Sequence, residues 1–336
     1  MYPVQKEKIR MIKLAILMSP DAGVEKSLMR QCGVEYAVGG FSVAPIAGAG
    51  DEEQPFSYTS LARAKARYKE AGFTLSVIES RPPMEKIKMG LPGRDEEIEV
   101  VCAMLRNMGA AGIPVWCSMW MPILGVLRTS HTIPTRGGAL VTGYDHDEFG
   151  DEPLTEHGIV SEEKQWENLK YFLERVVPVA EEANVKMAMH PGDPPLSPIR
   201  GIPRLMTSLE NYQKLIDLVP SPSNGIAICQ GNFSLMTDDL PSAIRHFGMQ
   251  ERIFFVHFRD VSGTPKKFME KFHDDGQTDL VECIRAYRDV NFEGVGRPDH
   301  YPKMGDDSYR DELSVARLFA VGYFKGLREA VYAEPG

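Results

Sequence analysis

The chain has 336 residues, 43% hydrophobic and 25% charged, with 38 Lys and Arg against 47 Asp and Glu for a formal charge of −9. Length alone suggests more than one domain, yet α/β barrels exceed that proportion as single units. The acid excess argues against nucleic acid or an anionic membrane surface as partner, although a metal ion and a few arginines can still hold an anionic substrate.

The basic opening and the apolar run from Leu14 to Met18 are too short for the ~7–15-residue core of a signal peptide and read as a first strand, 13–18. Further strand patterns follow at 36–43, 74–78, 113–118, 185–190, 225–229, 253–258 and 294–297. Helical patterns lie between them. The first, 60–70, ends before Gly72, and 94–108 places Ile98, Val101, Leu105 and Met108 on one stripe. Others are expected at 163–184, from Ser208 to Leu218, and at 239–247, 278–290 and 311–333. This alternation predicts a parallel (β/α)8 barrel, residues 1–336 forming one α/β domain, over a doubly wound sheet. Segment 129–163 is polar and rich in Gly, His and acids, and is expected as a long loop inserted over the C-terminal face. Segment 191–207 is proline-rich and should run stiff and extended. The greasy stretch 113–127 is broken by Ser118 and Pro122 and cannot span a bilayer. Five cysteines without a CxxC pair give no disulfide framework, so a reducing cytoplasm is the expected location.

The chemistry collects at strand ends. The last four strand patterns end in or next to His190, Cys229, His257 and Asp299. In a barrel those ends open on one face, where active sites sit. Two imidazoles, a thiolate and a carboxylate suit a first-row transition metal better than Mg or Ca. A lone strand-end His is usually just hydrogen-bonded, and a lone buried Cys is usually a small hydrophobe. Four in register carry the metal reading. His300, beside Asp299, is a candidate general acid or base, or else a support for the ligands. Glu79, Arg128, Arg204, Arg259 and His273 are expected around the same mouth as substrate-binding groups, since guanidinium forks pair well with a carboxylate. Ordinary ion pairing explains such arginines about as well. No GxGxxG follows the first strand, and neither GxxxxGK[ST] nor GxSxG occurs, so nucleotide binding and a serine-hydrolase elbow lack support.

From VIES at Val77 to GRPDH at His300 the chain resembles the mannonate dehydratase family, related to the xylose-isomerase-like barrels. The resembling stretches are VIESRPPMEKIKMGLPGRD, GIPVWCSMWMP, MAMHPGDPP with GIPRL, AICQGN, FFVHFRDV, HDDGQTDL and GRPDH, in the family's order. The resemblance implies His190, Cys229, His257 and Asp299 as ligands of a manganese-type ion and His300 as an acid/base residue. It also implies loss of water from D-mannonate to give 2-keto-3-deoxygluconate. The family continues after Asp-His into Gly-Tyr-Gly-Leu-Tyr-Asp-Arg, whose tyrosine shares the proton work. This chain runs YPKMGDDSYRDEL instead, which leaves Tyr309 or Tyr301 for that role. It also carries LAILMSP where the family has Trp-Tyr-Gly on the first strand, and Gln230 after Cys229 where the family has Thr. The expected protein is therefore a metal-dependent sugar-acid dehydratase. Manganese is the expected ion, although the thiolate would also suit Fe or Zn. The rival readings are a metal-dependent sugar or sugar-acid isomerase or epimerase, and a non-catalytic sugar-acid-binding homologue. Where the chain associates, a homodimer is the expected assembly.

Overall fold

The computed structural model describes residues 10–149, 152–305 and 312–335. Its strands are β1 Lys13–Leu17, β2 Tyr36–Gly39, β3 Thr74–Ile78, β4 Val115–Met119, β5 Ser130–Pro134, β6 Leu140–Asp145, β7 Lys186–His190, β8 Asn224–Cys229, β9 Ile253–Phe258, β10 Val261–Thr264, β11 Lys267–Glu270 and β12 Val295–Pro298. Eight of them, in the order β1-β2-β3-β4-β7-β8-β9-β12, close into a barrel. All neighbours are parallel, and the barrel shuts where Lys13 and Leu14 of β1 pair with Val295 and Gly296 of β12.

The barrel strands are apolar almost throughout because both faces are covered, one by helices and one by the barrel's own interior. Ala15, Val38, Val77, Cys117, Ala188, Ala227, Phe255 and Val295, one from each barrel strand, pack together inside. Alanines at three of these eight positions, one of them in register beside Phe255, leave room for its ring in the layer. The outward residues, among them Ile16, Met187, Met189, Ile226 and Ile228, pack with the helices.

Eight long helices form the outer ring: Gly23–Gln31, Tyr58–Glu70, Arg94–Ala111, Glu162–Glu182, Leu209–Leu218, Leu240–Met249, Leu280–Asp289 and Glu312–Tyr332. Five of them begin with a side-chain cap: Ser57, Ser161, Ser208, Asp239 and Asp279 accept backbone N–H groups from Ser60, Lys164, Asn211, Ser242 and Glu282. Asp279 thus closes the open end of a helix. Gly109 sits where Arg94–Ala111 crosses Glu162–Glu182; an added Cβ would lie 2.2 Å from the Ala183 carbonyl oxygen, so only glycine permits the approach. Helix Gly23–Gln31 was not foreseen, because GVEKSLMRQ is short and mostly polar and buries only Met29.

The second expected strand stops at Gly39, four residues short of the 36–43 pattern. Segment 129–163 does leave the barrel between β4 and its following long helix, but much of it is not loop. It forms β5 and β6, which join the β10–β11 hairpin in a four-stranded antiparallel sheet ordered β10-β11-β6-β5. Strands such as SHTIP, only partly covered, carry too little apolar alternation to be recognised alone. Both hairpins spring from C-terminal strand ends, of β4 and β9, so this sheet stands on the same rim as the strand-end residues. Tyr144, Leu235, Val261 and Phe268 form its own small core. Segment 191–207 has no helix or strand, but it is not extended: a tight turn joins Ile199 to Ile202, and the chain folds back so that the Gly192 N–H meets the Met206 carbonyl oxygen at 2.8 Å. Among the described residues no helix is long and apolar enough to cross a membrane.

Candidate metal centre and active site

β7, β8, β9 and β12 are consecutive around the barrel, and Cys229 and Arg297 are both in register with His257. The strand ends therefore deliver His190, Cys229 and His257 to one spot, their ligand atoms all within 4.8 Å of one another and all buried. His190 Nδ1 faces the Pro191 carbonyl oxygen at 2.9 Å; a carbonyl only accepts, so Nδ1 donates and Nε2 keeps its lone pair. That Nε2 lies 3.1 Å from His257 Nδ1, which is also 3.1 Å from Asp299 Oδ2. Two ring nitrogens, a carboxylate oxygen and the Cys229 sulfur thus converge where a proton holds them together and a metal ion could take its place.

The buried groups set one another's charge. Burial raises the Cys229 thiol pKa, but Arg259 and the two imidazoles outweigh it and hold the group well below its usual range. Burial and Arg297 work against a charged His257, yet Glu79 and Asp299 hold its pKa well above the ordinary value. Asp299 is itself kept far down, against burial, by Arg297, His300 and His257.

Around the cluster the ion pairs are closed. Arg297 donates Nε and Nη2 to Glu79 at 2.8 and 2.6 Å and Nη1 to Asp299 Oδ1 at 2.6 Å. Arg128 grips Asp193 with two bonds of 2.7 and 2.9 Å and Glu270 with one of 2.8 Å. Arg259, with no exposed surface, bonds Glu270 twice, Asp193, the Asn232 side chain and the Cys229 sulfur, the last at 3.3 Å. Five acidic groups (Glu79, Asp193, Cys229, Glu270, Asp299) are thus packed with three guanidiniums and the His257 imidazole around one point. The donor set fits a metal ion.

His300 sits with φ +52°, a left-handed conformation that turns its ring back over the mouth instead of away from it. It is 28% exposed, with Nδ1 3.4 Å from Glu270 and Nε2 3.6 Å from Asp299. The five residues expected to touch substrate all have protein partners. Glu79, Arg128 and Arg259 are tied up as above. Arg204 donates to the carbonyl oxygens of Asp193, Leu124 and Gly125. His273 bonds the Phe258 carbonyl oxygen and stacks on the Phe258 ring, and burial lowers its pKa to about 4. For the four charged residues the physical reason is common: a buried charge persists only when paired and hydrogen-bonded. Tyr301 donates its hydroxyl to the Pro298 carbonyl oxygen at 2.7 Å, and Tyr309 lies outside the described residues.

Sequence reasoning missed Arg297, Asp193 and Glu270. Arg297 had a usable signal, a lone charge in an otherwise apolar strand end; Glu270 had none, being in a hairpin that read as connection. Asp260, next to Arg259, accepts N–H bonds from Val261 and Thr278, and a Cβ on Gly276 would lie 2.0 Å from its carboxyl carbon. Gly276→Ala should therefore lower unfolding free energy by about 1–3 kcal/mol in a urea titration, the usual cost of overpacking. An unchanged midpoint would show that this loop gives way freely.

A parallel eight-stranded barrel with buried imidazoles and a thiol gathered at its C-terminal mouth defines a TIM-barrel enzyme with a site suited to a metal ion. The family model for D-mannonate dehydratase (UxuA) matches residues 18–158 and 152–334, and the chain belongs to that family. A mannonate dehydratase of Thermotoga neapolitana is 36% identical over 335 residues, spanning 89% of this chain and 91% of that protein. The crystal structure of mannonate dehydratase from Streptococcus suis superposes with a TM-score of 0.85 at 30% identity, over 95% of each chain. A D-psicose 3-epimerase of Clostridium cellulolyticum, 14% identical with a TM-score of 0.62 over 94% of this chain and 99% of that one, shares the fold.

Proposed function

We propose that this protein dehydrates D-mannonate to 2-keto-3-deoxy-D-gluconate, using one divalent ion held by His190, Cys229, His257 and Asp299. The observation that carries the reading is the convergence of those donors at one buried point in the C-terminal mouth of the barrel. Manganese is the ion the family resemblance favours; geometry decides selectivity more than the softness of one thiolate. When bound, the ion supplies a Lewis acid that draws charge from the substrate's carboxylate and hydroxyl oxygens, so that the neighbouring C–H becomes acidic.

The protein's own task is proton handling. One group removes the proton from carbon 2 and one protonates the departing 3-hydroxyl. His300 is half-open at the mouth beside Asp299 and serves one of these transfers. Tyr301 is committed to Pro298, which leaves Tyr309 as the candidate for the other. The Arg128, Arg259, Asp193 and Glu270 ring does not contact substrate in this reading; it fixes Glu270 beside the His300 ring. Five free thiols fit a reducing cytoplasm, and a homodimer is the assembly expected if the chain associates.

His300→Asn keeps a residue that tolerates the left-handed backbone and removes the imidazole. Turnover should fall by at least ~10²-fold while metal content, read by elemental analysis, stays at the wild-type level. Turnover near wild type would take His300 out of the mechanism. Product analysis tests the reaction class: a 2-keto-3-deoxy acid supports dehydration, whereas an epimeric acid with no loss of water moves the reading to an epimerase.

A further inference from the structure

Glu79 was expected to meet substrate, but it is buried, with only 9% of its side chain exposed, and it points at the back of the metal cluster. Its partner Arg297 comes from β12, so the pair links one side of the barrel interior to another at the level of His257. His257 Nδ1 faces His190 Nε2 and Asp299 Oδ2, each at 3.1 Å, whereas Nε2 points away and has no hydrogen-bond partner among the described residues. Glu79 Oε1 lies 3.5 Å from that orphaned nitrogen, just beyond hydrogen-bond range. Glu79 Oε1 and Oε2 are otherwise occupied by the two prongs of Arg297, whose third nitrogen takes Asp299 Oδ1. Asp299 Oδ2 is left facing the cluster.

We propose that Glu79 and Arg297 are positioning residues that select how the ligands bind: Glu79 accepts Nε2–H of His257 so that this ring ligates through Nδ1, and Arg297 restricts Asp299 to Oδ2. The inference rests on the metal reading above. It follows from the general behaviour of metal-bound histidines, whose second nitrogen donates to a carboxylate or carbonyl that fixes ring orientation and raises ligand basicity. His190 already follows that pattern with Pro191 at its Nδ1 and Nε2 facing the cluster. The two rings then present opposite nitrogens to the same ion.

The test uses full-length protein stripped of metal, with Mn²⁺ as the probe and calorimetric titration as the readout. Glu79→Gln keeps the size of the side chain and an acceptor for Arg297 but removes the charge. Its dissociation constant should rise 10–100-fold over wild type, the usual effect of losing such a partner. An unfolding midpoint taken without metal reports separately on the fold. A second measurement needs no variant: long-range ¹H–¹⁵N spectra of the wild type loaded with Zn²⁺, a diamagnetic probe, should show His257 carrying its proton on Nε2. Glu79→Gln binding Mn²⁺ within twofold of wild type, or a His257 that carries its proton on Nδ1, overturns this inference and leaves the metal reading standing. Wild-type protein that takes up neither ion overturns both.

Discussion

Asp299→Ala is expected to release the metal ion and abolish turnover. Asp299 supplies the carboxylate of the proposed ligand set, with Oδ2 3.1 Å from His257 Nδ1 and Oδ1 held by Arg297 at 2.6 Å. Alanine removes the one carboxylate that faces the His257 ring nitrogen in the cluster, and it leaves Arg297 with one carboxylate partner in place of two. Both changes weaken cation binding. Metal affinity should fall at least ~100-fold, beyond the scale seen when only an outer hydrogen-bond partner is lost. Elemental analysis after dialysis reads the loss directly, and full occupancy in the variant would contradict the ligand assignment. The fold should survive, because Arg297 keeps both bonds to Glu79.

The largest effect on stability is expected from Arg259→Met. The guanidinium is wholly buried and bonds Asp193, Glu270, Asn232 and Cys229 at once. Removing it strands two buried carboxylates with only Arg128 to share between them. Breaking a buried pair from one side costs about 3–5 kcal/mol because an uncompensated charge remains. Arg259→Lys should recover little of this, since a single ammonium cannot reproduce the fork that spans both acids. Urea unfolding of the metal-free variants measures the cost, and a loss below about 1 kcal/mol would show that Arg128 alone satisfies both carboxylates. The thiolate at Cys229 depends on the same guanidinium, so metal binding should weaken alongside stability.

The barrel was legible because its strands are short apolar runs separated by amphipathic helices, and the eight strand patterns appear in the structure to within a few residues. The gathering of His190, Cys229, His257 and Asp299 was legible because strand ends map onto one face, so that residues far apart in sequence could be brought together without knowing any contact. The four-stranded sheet was not legible. Its pairing joins 130–145 to 261–270, and nothing local in either polar segment announces a partner more than a hundred residues away. The roles of the arginines were hidden for a related reason. A guanidinium near an active-site mouth reads the same in sequence whether it meets a substrate carboxylate or Asp193, and only burial and distance separate the two. His300 lay between these cases: its position beside Asp299 was plain, but the left-handed turn that brings its ring over the mouth was not.

The most direct test of the whole account is steady-state turnover of D-mannonate by purified protein, measured as 2-keto-3-deoxy product before chelation, after chelation and after Mn²⁺ is restored. The account predicts product in the first sample, none in the second and recovery in the third. No product from Mn²⁺-loaded protein, or turnover indifferent to chelation, would contradict it.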